Sequence, residues 1–143
     1  MQYLKTYLKT ITDRGNVRLA ESIEKTAEDV GSQYIKQFSF CNHEIGLLFG
    51  NVQSGKTGQM FGIICKAADL GFPAFVLLTT DNVVLQQQTL ERVKADLQGF
   101  CICGENDSGL FIENRLMQPS IIVLKKNVRI LRLWANVFAS TGF

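Results

Sequence analysis

Apolar positions recur with two different spacings along this chain, and the change between them divides it. In residues 2–38 the spacing is helical. Leu4, Tyr7, Leu8 and Ile11 form one set, and Leu19, Ile23, Ala27 and Val30 form a second. Steps of three and four residues place each set on one stripe of a helix. The polar run Asp13-Arg14-Gly15-Asn16 predicts a turn between them, and the second helix is expected over about 17–30. Gly31-Ser32 is expected to break that helix, with a further short helical turn over 33–38.

Beyond residue 44 the apolar positions gather into short continuous runs, at 45–49, 74–78, 100–103 and 120–124. Such runs, bounded by turn residues, fit strands buried on both faces. The stretches between them are longer. Helices are expected over 57–70, from about 83 to 97, and over 128–138, while 110–116 is ambiguous. Gly71 is placed to end the first of these helices. Asp81 and Asn82 are placed to cap the second, whose inward stripe is Leu90, Val93 and Leu97. Alternating strands and helices predict an α/β fold, three layers around a parallel sheet with right-handed crossovers. Ligands then bind beyond the carboxyl ends of the strands. Residues 50–57, 79–82 and 125–127 follow strands, so they are expected on one rim of the sheet.

Composition narrows the classes without choosing among them. The 143 residues are 46% hydrophobic and 20% charged, enough for a domain with a real core. The net charge of +2 is too small to argue for nucleic acid by itself. The tightest basic cluster is Lys125-Lys126 with Arg129 and Arg132 following. Cysteines stand at 41, 65, 101 and 103. Cys101-x-Cys103 lacks the C-x-x-C spacing of zinc and redox sites, and the single histidine, His43, is far from it in sequence, so reduced cysteines are expected. No run reaches the ~18 apolar residues of a membrane span, and the N-terminus lacks a signal-peptide core. A cytoplasmic protein is expected, with no membrane partner.

The candidate chemistry lies in residues 46–57, Gly-Leu-Leu-Phe-Gly-Asn-Val-Gln-Ser-Gly-Lys-Thr. Gly50 to Thr57 spell G-x-x-x-x-G-K-[ST], the phosphate-binding loop. Glycines let the backbone wrap so that successive N–H groups point at one anion. Lys56 would place its charge on the β- and γ-phosphates of a nucleotide, and the Thr57 hydroxyl would be a ligand for Mg²⁺. The N-terminus of the following helix adds its positive end. With average residue usage the fixed positions co-occur in roughly 1% of chains this long. A glycine-rich turn that binds nothing is the alternative. Gly58 and Gly62 weaken the helix in isolation and would permit a close approach to the sheet or to the nucleotide.

In order along the chain, three stretches resemble the first RecA-like lobe of superfamily 2 helicases. They are residues 50–57, residues 77–89 (Leu-Leu-Thr-Thr-Asp-Asn-Val-Val-Leu-Gln-Gln-Gln-Thr) and residues 119–134 (Pro-Ser-Ile-Ile-Val-Leu-Lys-Lys-Asn-Val-Arg-Ile-Leu-Arg-Leu-Trp). More closely, the chain resembles endonucleases that carry the so-called Z-one domain. Val-Gln-Ser-Gly-Lys-Thr at the loop, Ile64 to Gly71 behind it, and Val123 to Asn127 match the wording of that family. The resemblance spans about residues 45–135. It implies a RecA-like P-loop NTPase lobe over 41–143, and the helical spacing before it, which carries no part of the resemblance, makes residues 1–40 an N-terminal helical element. The resemblance implies ATP and Mg²⁺ as cofactors, with nucleotide contacts from Gly50, Gln53, Ser54, Gly55, Lys56, Thr57 and Gly58. Lys56 and Thr57 would carry the catalytic contacts. It also implies nucleic acid, DNA before RNA, as partner, touched by Thr79, Thr80, Gln88, Lys125, Lys126 and Asn127. Two adjacent lysines at a strand exit suit phosphate contacts, although a solvated loop explains them too. An exposed helix face explains residues 86–88, and a helix cap explains Asp81.

The chain departs from this pattern in one respect. Such lobes need an acidic strand end, usually Asp-Glu, to hold Mg²⁺ and orient the attacking water. Residues 1–143 contain no apolar run ending in such a pair. The chain is therefore expected to be the N-terminal piece of a longer polypeptide, truncated before the acidic (Walker B) strand. It should bind nucleotide weakly and not turn it over. The implied activity is that of a helicase-like, nucleic-acid-dependent ATPase associated with a restriction-type endonuclease. A small P-loop kinase with Asp81 as base or metal ligand is the first alternative, but residues 104–118 supply only Arg115 for the lid such kinases need. A regulatory nucleotide-binding module is the second.

Overall fold

The computed structural model describes residues 2–50 and 55–142. The chain divides into two compact units, Met1–Phe72 and Pro73–Phe143. The division falls well beyond residue 40. The helix after the glycine-rich loop therefore belongs with the N-terminal helices, not with the strands.

The first unit is helical. Helix α1 (Tyr3–Asp13) buries Leu4, Tyr7 and Ile11, and α2 (Val17–Val30) buries Ala20, Ile23 and Ala27. All but Ala20 belong to the sets that the spacing predicts, and Leu19 and Val30 of the second set are half-buried. Helix α3 (Lys56–Asp69) buries Phe61, Ile64, Cys65, Ala67 and Ala68 among others, so it is the central element of the unit. It ends as a glycine-terminated helix should. Gly71 sits in the left-handed region at φ +98°, its N–H reaches Ala68 O at 3.0 Å, and the Phe72 N–H reaches Ala67 O at 3.0 Å. α1 takes its cap from a different helix, because the Asp69 carboxylate of α3 accepts from Tyr3 N–H at 2.7 Å and Leu4 N–H at 3.2 Å.

Two expectations fail in this unit. Gly31 does not break α2. The chain continues into a π-helical turn, Gly31–Ile35, and Gly31 is right-handed at φ −60° and buried. A methyl built there would stand 2.7 Å from Lys66 Cγ, so glycine is present for close approach. The second failure concerns residues 45–49. They form no strand, and Ile45, Leu47 and Phe49 are 89, 87 and 91% exposed. An apolar run argues for burial, but a strand also needs a ladder partner, and this run has none among the described residues.

The second unit is α/β. Strands β1 (Ala74–Thr79), β2 (Cys101–Cys103) and β3 (Ser120–Lys125) form a parallel sheet in the order β1-β3-β2. The interior position suits β3, whose Ile121, Ile122, Val123 and Leu124 are all buried. Helix α4 (Val83–Asp96) follows β1, α5 (Ser108–Asn114) follows β2, and α6 (Val128–Thr141) follows β3. On one face Cys101, Cys103, Ile122 and Leu124 pack with Phe111 of α5 and Trp134 of α6. α4 packs on the sheet as well, and its Gln86 Nε2 donates to Val123 O at 3.1 Å. Leu90, Val93 and Leu97 are buried as expected. The ambiguous stretch 110–116 resolves as part of α5 and the turn after it.

Candidate functional site

The phosphate-loop motif enters the described structure at Gly55. This residue is left-handed, φ +72° and ψ +31°, and stands at the N-cap of α3. A side chain is strained in that conformation, which is the physical reason for glycine there. Lys56 and Thr57 form the first turn of α3 and are half-buried. The helix ladder begins with Gln59 N–H to Gly55 O at 3.0 Å. The N–H groups of Lys56, Thr57 and Gly58 thus lie ahead of the ladder, at the positive end of the helix. The first turn of α3 carries no acidic residue to oppose an anion. Gln53 and Ser54 lie outside the described residues, and Gly50 is the last residue before that gap.

Behind this turn the helix is crowded by its neighbours in the first unit. A methyl built on Gly55 would lie 2.9 Å from Leu19 Cδ1, one on Gly58 3.2 Å from Ile23 Cδ1, and one on Gly62 2.4 Å from Ile23 Cγ2. Gly58 and Gly62 therefore admit α2. Gln59 is 8% exposed and donates from Nε2 to Ser22 Oγ at 2.9 Å. Its Oε1 is buried without a partner among the described residues, a state that costs about 1–3 kcal/mol. Sequence reading missed Ser22 and Gln59. Their one signal is a polar side chain beside an inward stripe, which many exposed residues share.

The resemblance-derived nucleic-acid residues come together in the second unit, with one exception. Thr79 and Lys125 are register partners of β1 and β3, and the Lys126 N–H reaches Thr79 O at 2.9 Å. Thr80, Lys126 and Asn127 continue this corner of the sheet. Gln88 lies apart from it, on the exposed face of α4. Two of the corner side chains have structural partners. Lys125 Nζ lies 3.6 Å from Glu105 Oε1, and Asn127 Oδ1 accepts from the N–H groups of Arg129 and Ile130, capping α6. Asn82 caps α4 in the same way, through Val84 and Leu85 N–H, so the cap expected from the Asp81-Asn82 pair falls to the second residue. Lys126 is exposed. Beyond it Arg129 and Arg132, with Val128, Leu133 and Asn136, line an open groove along α6.

The cysteines form no site of their own. Cys65, Cys101 and Cys103 are buried and Cys41 is exposed, all as free thiols. Burial, then the charge of Asp69, pushes the Cys65 thiol up to about 12. Burial, then Cys101 at 3.8 Å between sulfurs, pushes Cys103 up to about 12. A thiol held protonated is a poor nucleophile and a poor ligand. No cluster of three or more His, Cys, Asp or Glu placed to hold a metal occurs among the described residues, and no described helix is long and apolar enough to cross a membrane.

The class these observations define is broad: an α/β protein with a small parallel sheet and a helical N-terminal unit. Compared with known proteins, the chain matches no family model, no curated protein and no solved structure.

Proposed function

We propose that this chain is the nucleotide-binding lobe of a helicase-like, nucleic-acid-dependent ATPase. One observation carries the reading. Within G-x-x-x-x-G-K-T, Gly55 is left-handed at the start of a long helix that places Lys56 and Thr57 in its first turn. The residues fit a nucleoside triphosphate with Mg²⁺. The N–H groups ahead of the ladder would donate to the phosphate oxygens, Lys56 would neutralise the β- and γ-phosphates, and the Thr57 hydroxyl would hold the metal. Mg²⁺ supplies charge neutralisation of the phosphates when bound. Among the described residues, the protein's contribution would be the first turn of α3 that Gly55 opens.

The nucleic-acid part of the proposal draws on the corner at Thr79, Thr80 and Lys126, extended along α6 by Arg129 and Arg132. Exposed cations in series suit a phosphate backbone, and such contacts are sequence-independent and salt-sensitive. Association with a restriction-type endonuclease rests on the resemblance alone.

Two titrations test the reading. A fluorescent ATP analogue with Mg²⁺ should bind the chain saturably, and Lys56→Ala should weaken it by at least about tenfold, the loss of one charged contact of about 1.4 kcal/mol or more. Single-stranded DNA should bind with an affinity that falls with salt. Lys126→Ala and Arg129→Ala should each reduce the slope of log K against log salt by about 1. Binding of DNA with no salt dependence would remove the second half of the proposal and leave the first.

A further inference from the structure

The N-terminal helices carry no motif, yet they contact α3 from its first turn to its last. The contacts follow one order. Leu19 lies at Gly55, Ser22 at Gln59, Ile23 at Gly58 and Gly62, Ala27 at Gly62, and Glu28 at Lys66, the last as an ion pair of 3.0 Å. α2 and α3 therefore run in the same direction, and the start of α2 stands beside the phosphate-loop end of α3. α1 runs the opposite way. Its first N–H groups sit on Asp69 at the far end of α3, and the Tyr7 hydroxyl reaches back to Gly58 O at 3.5 Å. The first turns of α3 are thus gripped at three successive points. The leucine side chain fills the space behind the left-handed Gly55, the serine hydroxyl holds the buried Gln59 amide, and Ile23 fits against Gly58.

Resting on the reading of residues 50–57 as a phosphate loop, we propose that the N-terminal hairpin is a working part of the nucleotide site. Leu19 and Ser22 are positioning residues. They fix the Gly55 turn and the second turn of α3 before ligand arrives, so that the N–H groups of residues 56–58 are already aimed for phosphate. A turn left loose would have to be ordered on binding, at a cost in affinity. The ligand class is a nucleoside di- or triphosphate. Adenosine, which lacks phosphates, should not sense these residues.

The experiment is a titration of the full 143-residue chain with fluorescent ATP and Mg²⁺, for Leu19→Ala, Ser22→Ala, Ser22→Thr and Lys56→Ala. Folding is checked by circular dichroism and thermal melting. Ser22→Ala and Leu19→Ala should bind about tenfold more weakly. Ser22→Thr keeps the hydroxyl and should bind as the unaltered chain does, a rescue that a general loss of stability would not show. If Leu19→Ala does not fold, the Ser22 pair decides. Folded Ser22→Ala binding with unchanged affinity, while Lys56→Ala loses binding, overturns this inference and leaves the phosphate loop standing. An unaltered chain that fails to bind, or a Lys56→Ala chain that binds normally, overturns both.

Discussion

Gly62 shows how far a single residue can be understood from its surroundings. Its sequence position suggests a weak point in a helix. Its contacts show instead a seat for Ile23, because a methyl added there would meet Ile23 Cγ2 at 2.4 Å. Gly62→Ala is expected to destabilise by about 1–3 kcal/mol through overpacking, despite the better helix propensity of alanine. Urea denaturation checks the sign. A propensity effect would raise the midpoint, and a packing effect lowers it. The buried thiols of Cys65 and Cys103 make a second prediction at this scale. Their folded pKa values are raised above the unfolded values, so the folded state gains nothing by ionising them. Their contribution to stability is fully present below about pH 9 and is lost as pH rises toward 12. The thermal midpoint should be flat from pH 7 to 8.5 with respect to these groups and fall above pH 9. At pH 8 a thiol reagent should modify Cys41 rapidly and the other three only on unfolding.

Among the elements, caps decide boundaries and packing decides partners. Asn82 and Asn127 each accept two backbone N–H groups at the start of a helix that leaves a strand exit. Replacing either by alanine should cost about 0.5–2 kcal/mol, as should Asp69→Ala, which strips the cap of α1. The Asp69 change has an extra signature. It should speed hydrogen exchange at the start of α1, at a helix 65 residues away in sequence. Most helix and strand identities were legible from spacing, because α1, α2 and α6 are amphipathic and β1 and β3 almost continuously apolar, whereas the stretch that carries α5 was ambiguous. α2, α4, β1 and β3 lie close to the residues that the pattern picks out. The exceptions share a cause. Gly31 and residues 45–49 depend on what stands opposite them, which periodicity does not encode. Lys66 is what faces Gly31. The run at 45–49 is apolar without a ladder partner among the described residues, so its hydrophobicity alone misled.

For the molecule as a whole, the phosphate-loop motif was legible as wording, and its local consequence, a left-handed Gly55 opening a helix, is visible in the structure. Leu19 belongs to the apolar stripe that the spacing picks out in α2, but the hydrogen bond between Ser22 and Gln59, 37 residues apart, follows from no spacing rule. The helix behind the loop packs with the N-terminal helices, a grouping that spacing does not encode. The first 72 residues form one compact unit, and in the proposed function the start of α3 is its nucleotide-binding turn. The most direct test of that claim is calorimetric titration of Mg²⁺·ATP into the 143-residue chain and into Lys56→Ala. The account predicts one saturable site in the unaltered chain and an affinity at least about tenfold weaker in the variant. It would be contradicted by equal affinities in the two chains, or by no heat of binding in the unaltered chain at millimolar nucleotide.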